Sequence, residues 1–349
     1  MRSTLETTLW IAVGLACAVA AGAFVWAAWS PVPPQWTWTV PALQPAPQTA
    51  ADPLDGEPVT PRAIGRRPIA IVIDNHPEAR PQWGLSGASR VYEALTEGGI
   101  TRYLAVFGQQ DADQVGPVRS VRTQFLDYAA ELDAAVAHVG GNADALDLIA
   151  MLRITHVDEF RYPLAYRRIQ RRGIALEHTV FTSTAAVRAL AAQTAGGESQ
   201  PVAPQMWKDD LPRDHRPAAA GATIDFSTPT YRVSWVYRPD SNDYARMLAG
   251  APDVDAATEA GLTAKVIAIA VIPRTHGRTR IREDTWTFAD LGSGQAWILE
   301  DGAVVPGTWR KAVRSDPLRF FDESGHEIAF DRGAEWIEII PPEIAPSFE

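Results

Sequence analysis

The spacing of apolar residues changes character several times along this chain, and each change marks an expected element. From Leu9 to Trp29 the run is almost wholly apolar. As a helix rising 1.5 Å per residue it would span about 30 Å, the hydrocarbon thickness of a bilayer. From Ser30 to Gly65 apolar periodicity vanishes and prolines recur, from Pro31 through Pro61. Such a stretch favours extended polyproline II, so it reads as a stalk. Arg67 to Asn75 (RPIAIVIDN) then forms a continuous apolar strand, the pattern of a strand buried on both faces, with Asp74 and Asn75 at its C-terminal end.

Arg90 to Gly108 reads as a hairpin closed by Gly98-Gly99; a helix ending at those glycines is the competing reading. A two-residue turn puts Glu97 opposite Ile100, Leu95 opposite Arg102 and Glu93 opposite Leu104. Glu93, Glu97 and Arg102 would then share one face. After the Gly116-Pro117 turn, Val121, Phe125, Tyr128, Ala129 and Leu132 recur at helical spacing, with Ser120 as N-cap. Ala134 to Val139 returns as a strand, placing His138 near its C-terminal end, where open α/β sheets hold their ligands. A helix follows Gly140-Gly141-Asn142 through Leu152. Gly173 to Thr182 reads as a strand bearing His178, and Ser183 or Thr184 caps a helix to about Ala195. Beyond the Pro- and Ala-rich stretch 196–222, segments such as TYRVSWVY, KVIAIAVIP, QAWILEDG and EWIEIIPP are short, β-branched and aromatic, and bounded by turn signals.

The fold class expected is therefore α+β or α/β. An N-terminal α/β domain with a mixed sheet and flanking helices precedes a mostly antiparallel β domain, and both follow a transmembrane helix and a stalk. The expected boundaries are 1–29 for the anchor, 30–65 for the stalk, 66–195 for the first domain, 196–222 for a linker and 223–345 for the second domain.

Composition sharpens the cellular side of this picture. The 349 residues are 46% hydrophobic and 21% charged, which suits packed cores. A net charge of -10 argues against nucleic acid as a partner, the arginines of Arg161–Arg172 being the one local basic cluster. No charged side chain lies between Glu6 and Asp52, and Arg2 precedes the apolar run, so the N-terminus is expected in the cytoplasm and the folded part outside. The run exceeds a usual signal-peptide core, which favours an uncleaved anchor over a cleaved signal. Cys17, the sole cysteine, lies in the middle of the run after Gly14-Leu15-Ala16, a poor lipid-attachment box, and it leaves no disulfide or cysteine metal site within one chain.

Chemistry concentrates between Ile69 and Gly141. Arg119 and Arg122 beside a helix start suit a phosphate or carboxylate, the bland alternative being ion pairs with Asp111, Asp113, Glu93 or Glu97. Glu93 and Glu97 resemble a carboxylate pair for acid/base work on a glycosidic bond, although Arg102 beside them suits a structural ion pair. Asp74 with Asn75 suits a divalent cation or a positioned water. His138 is a candidate base or a satisfied strand-end histidine. No histidine pair has metal-ligand spacing, GxSxG, GxGxxG and P-loop patterns are absent, and no metal or cofactor is expected.

The runs IDNHPEARPQWGLSGASRVYEA, EGGITRYLAVF, GPVRSVR and ELDAAVAHVGG, with LEHTVFTST and DLGSGQAWILEDGAVVPGTWRK downstream, resemble the YerB-like bacterial lipoprotein family over roughly Arg67 to Pro342. That resemblance implies an exported, membrane-attached envelope protein with two domains of unknown function. Its motifs fall on Asp74, Asn75, Arg80, Pro81, Gln82, Glu93, Glu97, Gly98, Gly99, Thr101, Arg102, Gly116, Pro117, Arg119, Ser120, Arg122, His138 and Gly141. Two features depart from the family. Attachment is expected through a helix instead of a lipid, and the family's Pro-His-Asn reads Glu177-His178-Thr179 here, which argues against a role for His178.

The resulting expectation is a pocket for a polar or anionic cell-wall or other envelope component. Glu93, Glu97 and His138 are its catalytic candidates, with Asp74, Asn75, Arg80, Gln82, Arg102, Arg119, Ser120 and Arg122 as ligand-binding residues. The alternatives are a glycan-cleaving enzyme using Glu93 or Glu97, a metal-assisted phosphoryl or glycosyl-phosphate transferase using Asp74 and the arginines, and a protein-docking scaffold.

Overall fold

A computed structural model describes residues 11, 13–18, 49–60, 65–195, 200–217 and 220–349. Contacts divide the chain into a unit ending at Pro47 and a compact unit Gln48–Glu349. Of the first unit, Ile11 and residues 13–18 are described, and they are helical. The rest of the expected anchor lies outside the described residues, among which no helix is long and apolar enough to cross a membrane.

The first half of the large unit supplies strands β1 (Ile69–Asp74), β2 (Arg90–Leu95), β3 (Thr101–Phe107), β4 (Ala135–His138) and β5 (His156–Asp158). Its helices are α1 (Thr123–Glu131), α2 (Ala143–Leu152) and α3 (Thr184–Thr194). Asn142 caps α2 by accepting from Ala145 N–H, and Ser183 caps α3 by accepting from Ala186 N–H. The N-cap of α1 is Arg122, not the expected Ser120.

The second half is largely β. It includes β6 (Arg232–Arg238), β7 (Asp243–Leu248), β8 (Val266–Val271), β9 (Gly292–Glu300), β10 (Ala303–Lys311), β11 (Arg319–Asp322) and β12 (Glu335–Ile340). One ten-stranded mixed sheet runs through both halves, in the order β11-β10-β9-β8-β12-β2-β3-β1-β4-β5. The apolar run of β12 was expected in an antiparallel domain. Instead it lies parallel to both β8 and β2 and joins the halves.

Alternation along the strands sorts the core into two layers. Ile69, Ile71, Ile73, Tyr103 and Trp336 pack with α3 residues Val187 and Ala191 and with Trp235, Tyr244 and Leu248 of a second, six-stranded sheet built on β6 and β7. Ala70, Val72, Tyr92, Leu104 and Ile337 pack beneath α1 and α2.

Residues 50–59 correct the expected stalk. Ala50–Ala51 pairs with Pro58–Val59, and Leu54 is buried against Gly108 while its carbonyl accepts from Arg90. One buried leucine and a self-paired turn bind this end to the body. In the stretch 196–222, Trp207–Lys208 pairs with Phe330–Asp331, and Lys208 reaches the carboxylate of Asp301 at 2.5 Å.

The hairpin corrects the expected register by one residue. Thr96 N–H donates to Ile100 O at 2.7 Å, so the loop spans Thr96–Ile100, with Gly98 and Gly99 at φ 72° and 74°. Glu93 consequently pairs with Tyr103, and Ala94 with Arg102. A one-residue slip turns every side chain to the other face. Glu93 and Arg102 therefore stand on opposite sides of the sheet.

Candidate functional site

The C-terminal end of β1 delivers Asp74 beside Arg102, its cross-strand partner on β3. Residues 115–119 cross this end as an extended segment. Asp74 N–H donates to Pro117 O, Arg119 N–H donates to Val72 O, and Val118 N–H donates to Val180 O. Gly116 makes the crossing possible, because at its φ of 145° a Cβ would stand 2.9 Å from Val180 O. Arg119 is thereby set over Asp74, with Nε 3.4 Å from Oδ2, while Nη2 donates to Glu177 at 2.9 Å. Arg122, capping α1, grips Glu97 from the hairpin loop at 2.8 and 2.9 Å.

Asp74 is buried, yet three kinds of contact favour its charge. His178 Nδ1 approaches Oδ2 at 2.6 Å, and His76 N–H donates to Oδ1 at 2.9 Å. Burial alone would push the carboxyl up, but these bonds, with Arg102 and Arg119 nearby, hold it below the usual carboxylate range. The bond to Asp74 fixes the His178 ring, whose Nε2 lies 3.9 Å from Glu177 Oε1.

Arg102 has the opposite balance. Nη1 donates to Ser120 O at 2.8 Å, whereas the buried Nε has no partner. Burial first, then the neighbouring Arg122 with Arg119, outweighs Asp74 and Glu97 and pushes the guanidinium down to about 9. An arginine stays charged at neutral pH, so this marks a cation short of negative partners.

Glu93 stands in a different environment. It is fully buried between the sheets, with Oε2 2.6 Å from Arg246 Nη2. Asp253 and Glu338 complete the set around that guanidinium, which also lies 4.5 Å from the Trp336 ring centroid. The expected Glu93–Glu97 carboxylate pair is not formed, because the register places Glu93 in this inter-sheet cluster and Glu97 on Arg122. Asn75, Arg80 and Gln82 fasten the loop after β1. Asn75 bonds Thr101 at 2.7 Å, Arg80 donates to Asn75 and to Thr230 O, and Gln82 donates to Asp74 O.

His138 is fully buried, with Nδ1 2.8 Å from Gly140 O and Nε2 3.0 Å from His156 Nδ1. Burial pushes its pKa down, so the ring is neutral. It stays apart from the groups that converge on Asp74. The cluster that does form is Asp74, Glu97, Arg102, Arg119, Ser120 and Arg122, together with His76, Glu78, Arg171, Glu177 and His178.

The last group was missed. The strand expected over Gly173–Thr182 is confined to Val180–Thr182, and Leu176–His178 is a 3-10 turn that points His178 at Asp74. Arg171 donates to the carbonyls of Glu78 and His178 and so binds the two histidine loops together. Its place in the basic cluster Arg161–Arg172 was the available signal.

His76, Glu78 and His178 bring donor atoms within 4.8 Å of one another, the one such group among the described residues. The histidine rings stack at 4.6 Å with an interplanar angle of 7°. Ring lone pairs lie in the ring planes, so two parallel rings cannot both aim at one ion unless His76 turns. The cavities of about 530, 420, 450 and 200 Å³ are lined by other residues.

Comparisons with known proteins agree with this architecture. Residues 54–198 match the N-terminal domain, and residues 222–337 the C-terminal domain, of a family described as protein of unknown function (DUF3048). YerB of Bacillus subtilis (strain 168), whose name marks it as a candidate lipoprotein, is 30% identical over 297 residues, 83% of this chain and 86% of that protein. The crystal structure of YerB from Bacillus subtilis superposes with a TM-score of 0.75 at 25% identity, covering 85% of this chain and 99% of that one.

Proposed function

The chain belongs to the two-domain DUF3048 family, and from that premise we propose that it is an extracytoplasmic envelope protein that binds an anionic cell-wall component at Arg102, Arg119 and Arg122. The observation that supports this most is the state of Arg102. Its Nε is buried without a partner, and its guanidinium is depressed to about 9 by burial and two neighbouring arginines. A phosphate or carboxylate held by Arg119 and Arg122 would offset the repulsion that Arg102 feels. Arg119 and Arg122 are partly open to solvent, at 23% and 15% side-chain exposure, so an incoming anion can compete with Glu177 and Glu97 for them. Calorimetric titration of the full chain with soluble wall fragments tests this. Arg119→Ala/Arg122→Ala is expected to weaken binding at least about tenfold, since each charge-assisted bond is worth about 1.5–3 kcal/mol. Unchanged affinity in that protein would sink the assignment.

A second reading, catalysis on the bound anion, is favoured by the Asp74–His178 contact of 2.6 Å. A carboxylate that orients one imidazole nitrogen leaves the other as a general base next to the arginines. Turnover of wall fragments that vanishes in His178→Gln, with binding kept, would support it. Binding without turnover in the parent protein would reject it.

A further inference from the structure

The segment Phe160–Leu176 (FRYPLAYRRIQRRGIAL) carries Arg161, Arg167, Arg168, Arg171 and Arg172 and no acidic residue, in a chain whose net charge is -10. Among the described residues only Arg168 of these forms an ion pair, with Glu159. The same segment exposes large apolar side chains: Phe160 at 73%, Leu164 at 101% and Leu176 at 62%. Leu164 lies beside Arg167 along the rim of one small cavity, and Arg168 ties the neighbourhood of Phe160 to Leu176. The Arg168 guanidinium donates to Glu159, beside Phe160, and to the carbonyl of Leu176. Phe160 packs against Gly140, where a Cβ would stand 2.8 Å from the ring.

We propose that this face docks on an anionic lipid bilayer, its arginines meeting headgroup phosphates while Leu164, Phe160 and Leu176 enter the acyl boundary. Exposed guanidiniums, here Arg161, Arg167, Arg168 and Arg172, beside exposed apolar side chains are the mixture that the headgroup region accommodates. A water-soluble anionic polymer would satisfy the arginines but leave Leu164 in water, so charge and apolarity together favour lipid. The face is continuous with the arginine cluster through Arg171, which bonds the Glu78 and His178 carbonyls. Docking would therefore hold Asp74, Arg119 and His178 close to headgroup level.

The apolar N-terminal segment would itself associate with lipid, so the readout must be local. Full-length chain carrying Cys17→Ala and Leu164→Cys is labelled with an environment-sensitive nitrobenzoxadiazole and reconstituted into vesicles. The position is fully exposed, which lets the label sit without repacking the fold. Vesicles of phosphatidylcholine with phosphatidylglycerol are expected to brighten the label and shift it to the blue, and phosphatidylcholine alone is not. A label at the exposed turn position Ser324→Cys should respond to neither. Adding Arg161→Gln/Arg172→Gln should remove the lipid-dependent shift, a weakening of roughly thirtyfold at about 1 kcal/mol per arginine. Unchanged far-ultraviolet circular dichroism keeps misfolding apart from lost docking. No shift in either lipid, or an equal shift in both, overturns the proposal. A shift produced by soluble poly(glycerol phosphate) but not by vesicles also overturns it and assigns the face to a polymer.

Discussion

Replacing Arg102 by Met separates a functional cation from a structural one. The substitution keeps most of the buried hydrocarbon stem and removes the charge. The gap between the ordinary arginine value and about 9 corresponds to a ceiling of about 5 kcal/mol of disfavoured charge in the fold. Relaxation and residual hydration reduce that severalfold. Against it stands the loss of the bond from Nη1 to Ser120 O, worth about 1 kcal/mol, and a weaker field on Asp74. The net expectation for Arg102→Met is a gain of up to about 1 kcal/mol.

Urea unfolding should show this as a higher midpoint at unchanged slope. The pH dependence carries a definite sign. A base whose folded pKa is depressed suffers its full penalty below that pKa and loses it above. The parent protein should therefore gain stability as pH rises through about 9, and Arg102→Met should not. Phosphate or sulfate should raise the parent's melting temperature, by the equivalent of about 2.7 kcal/mol at a hundred times the dissociation constant, and leave the variant unmoved. A variant destabilised by about 2 kcal/mol or more, with no anion effect on the parent, would refute the reasoning. Arg102 would then be a lock already satisfied by Asp74 and Glu97.

Arg246→Met, by contrast, should cost about 3–5 kcal/mol in the same unfolding assay, because it strands Glu93, Asp253 and Glu338 between the sheets. Asp74→Asn should cost about 1–3 kcal/mol at pH 7. Asp74 is held below its ordinary value, so that contribution is present above about pH 4 and lost as pH falls through the folded pKa, and the two proteins should converge in acid. Asp290, buried beside Asp127, is raised to about 8. Its penalty is absent below about pH 4 and grows until pH passes about 8, so Asp290→Asn should exceed the parent by about 2 kcal/mol or more at pH 9 and match it at pH 4.

Local pattern made much of the first half legible. The apolar run of β1, the α1 periodicity, the helix after Gly140-Gly141-Asn142 and the cap at Ser183 follow from burial and from unpaired helix N–H groups. The hairpin register was not legible, because Gly98-Gly99 fits both a two-residue turn and the longer loop closed by Thr96 and Ile100. That single residue decides which face receives Glu93. The parallel insertion of β12 was hidden for a different reason: its partners β2 and β8 lie far apart in sequence, and nothing local specifies them. His178 was misplaced because LEHTVFT alternates well enough for a strand. Only the position of Asp74, fixed by another strand, gives the 3-10 turn its meaning.

The two arginine centres show why the corrected register matters for function. Tyr103 and Arg102 are adjacent on β3, so their side chains leave the sheet on opposite faces. Behind Tyr103, Arg246 is enclosed by three carboxylates that push its pKa well above the ordinary value in spite of burial. Three carboxylates face that one guanidinium, and burial with Glu93 beside it pushes Glu338 well above the ordinary value, so a further anion has nothing to add there. In front, Arg102 has two arginines near it, carboxylates already engaged by Arg119, His178 and Arg122, and an unbonded Nε. That balance is open, and an anion from outside would close it. Burial of charge alone does not distinguish a site from a scaffold, since both arginines are buried. The direction of the electrostatic imbalance does, and it favours the α1 side of the sheet for the candidate site.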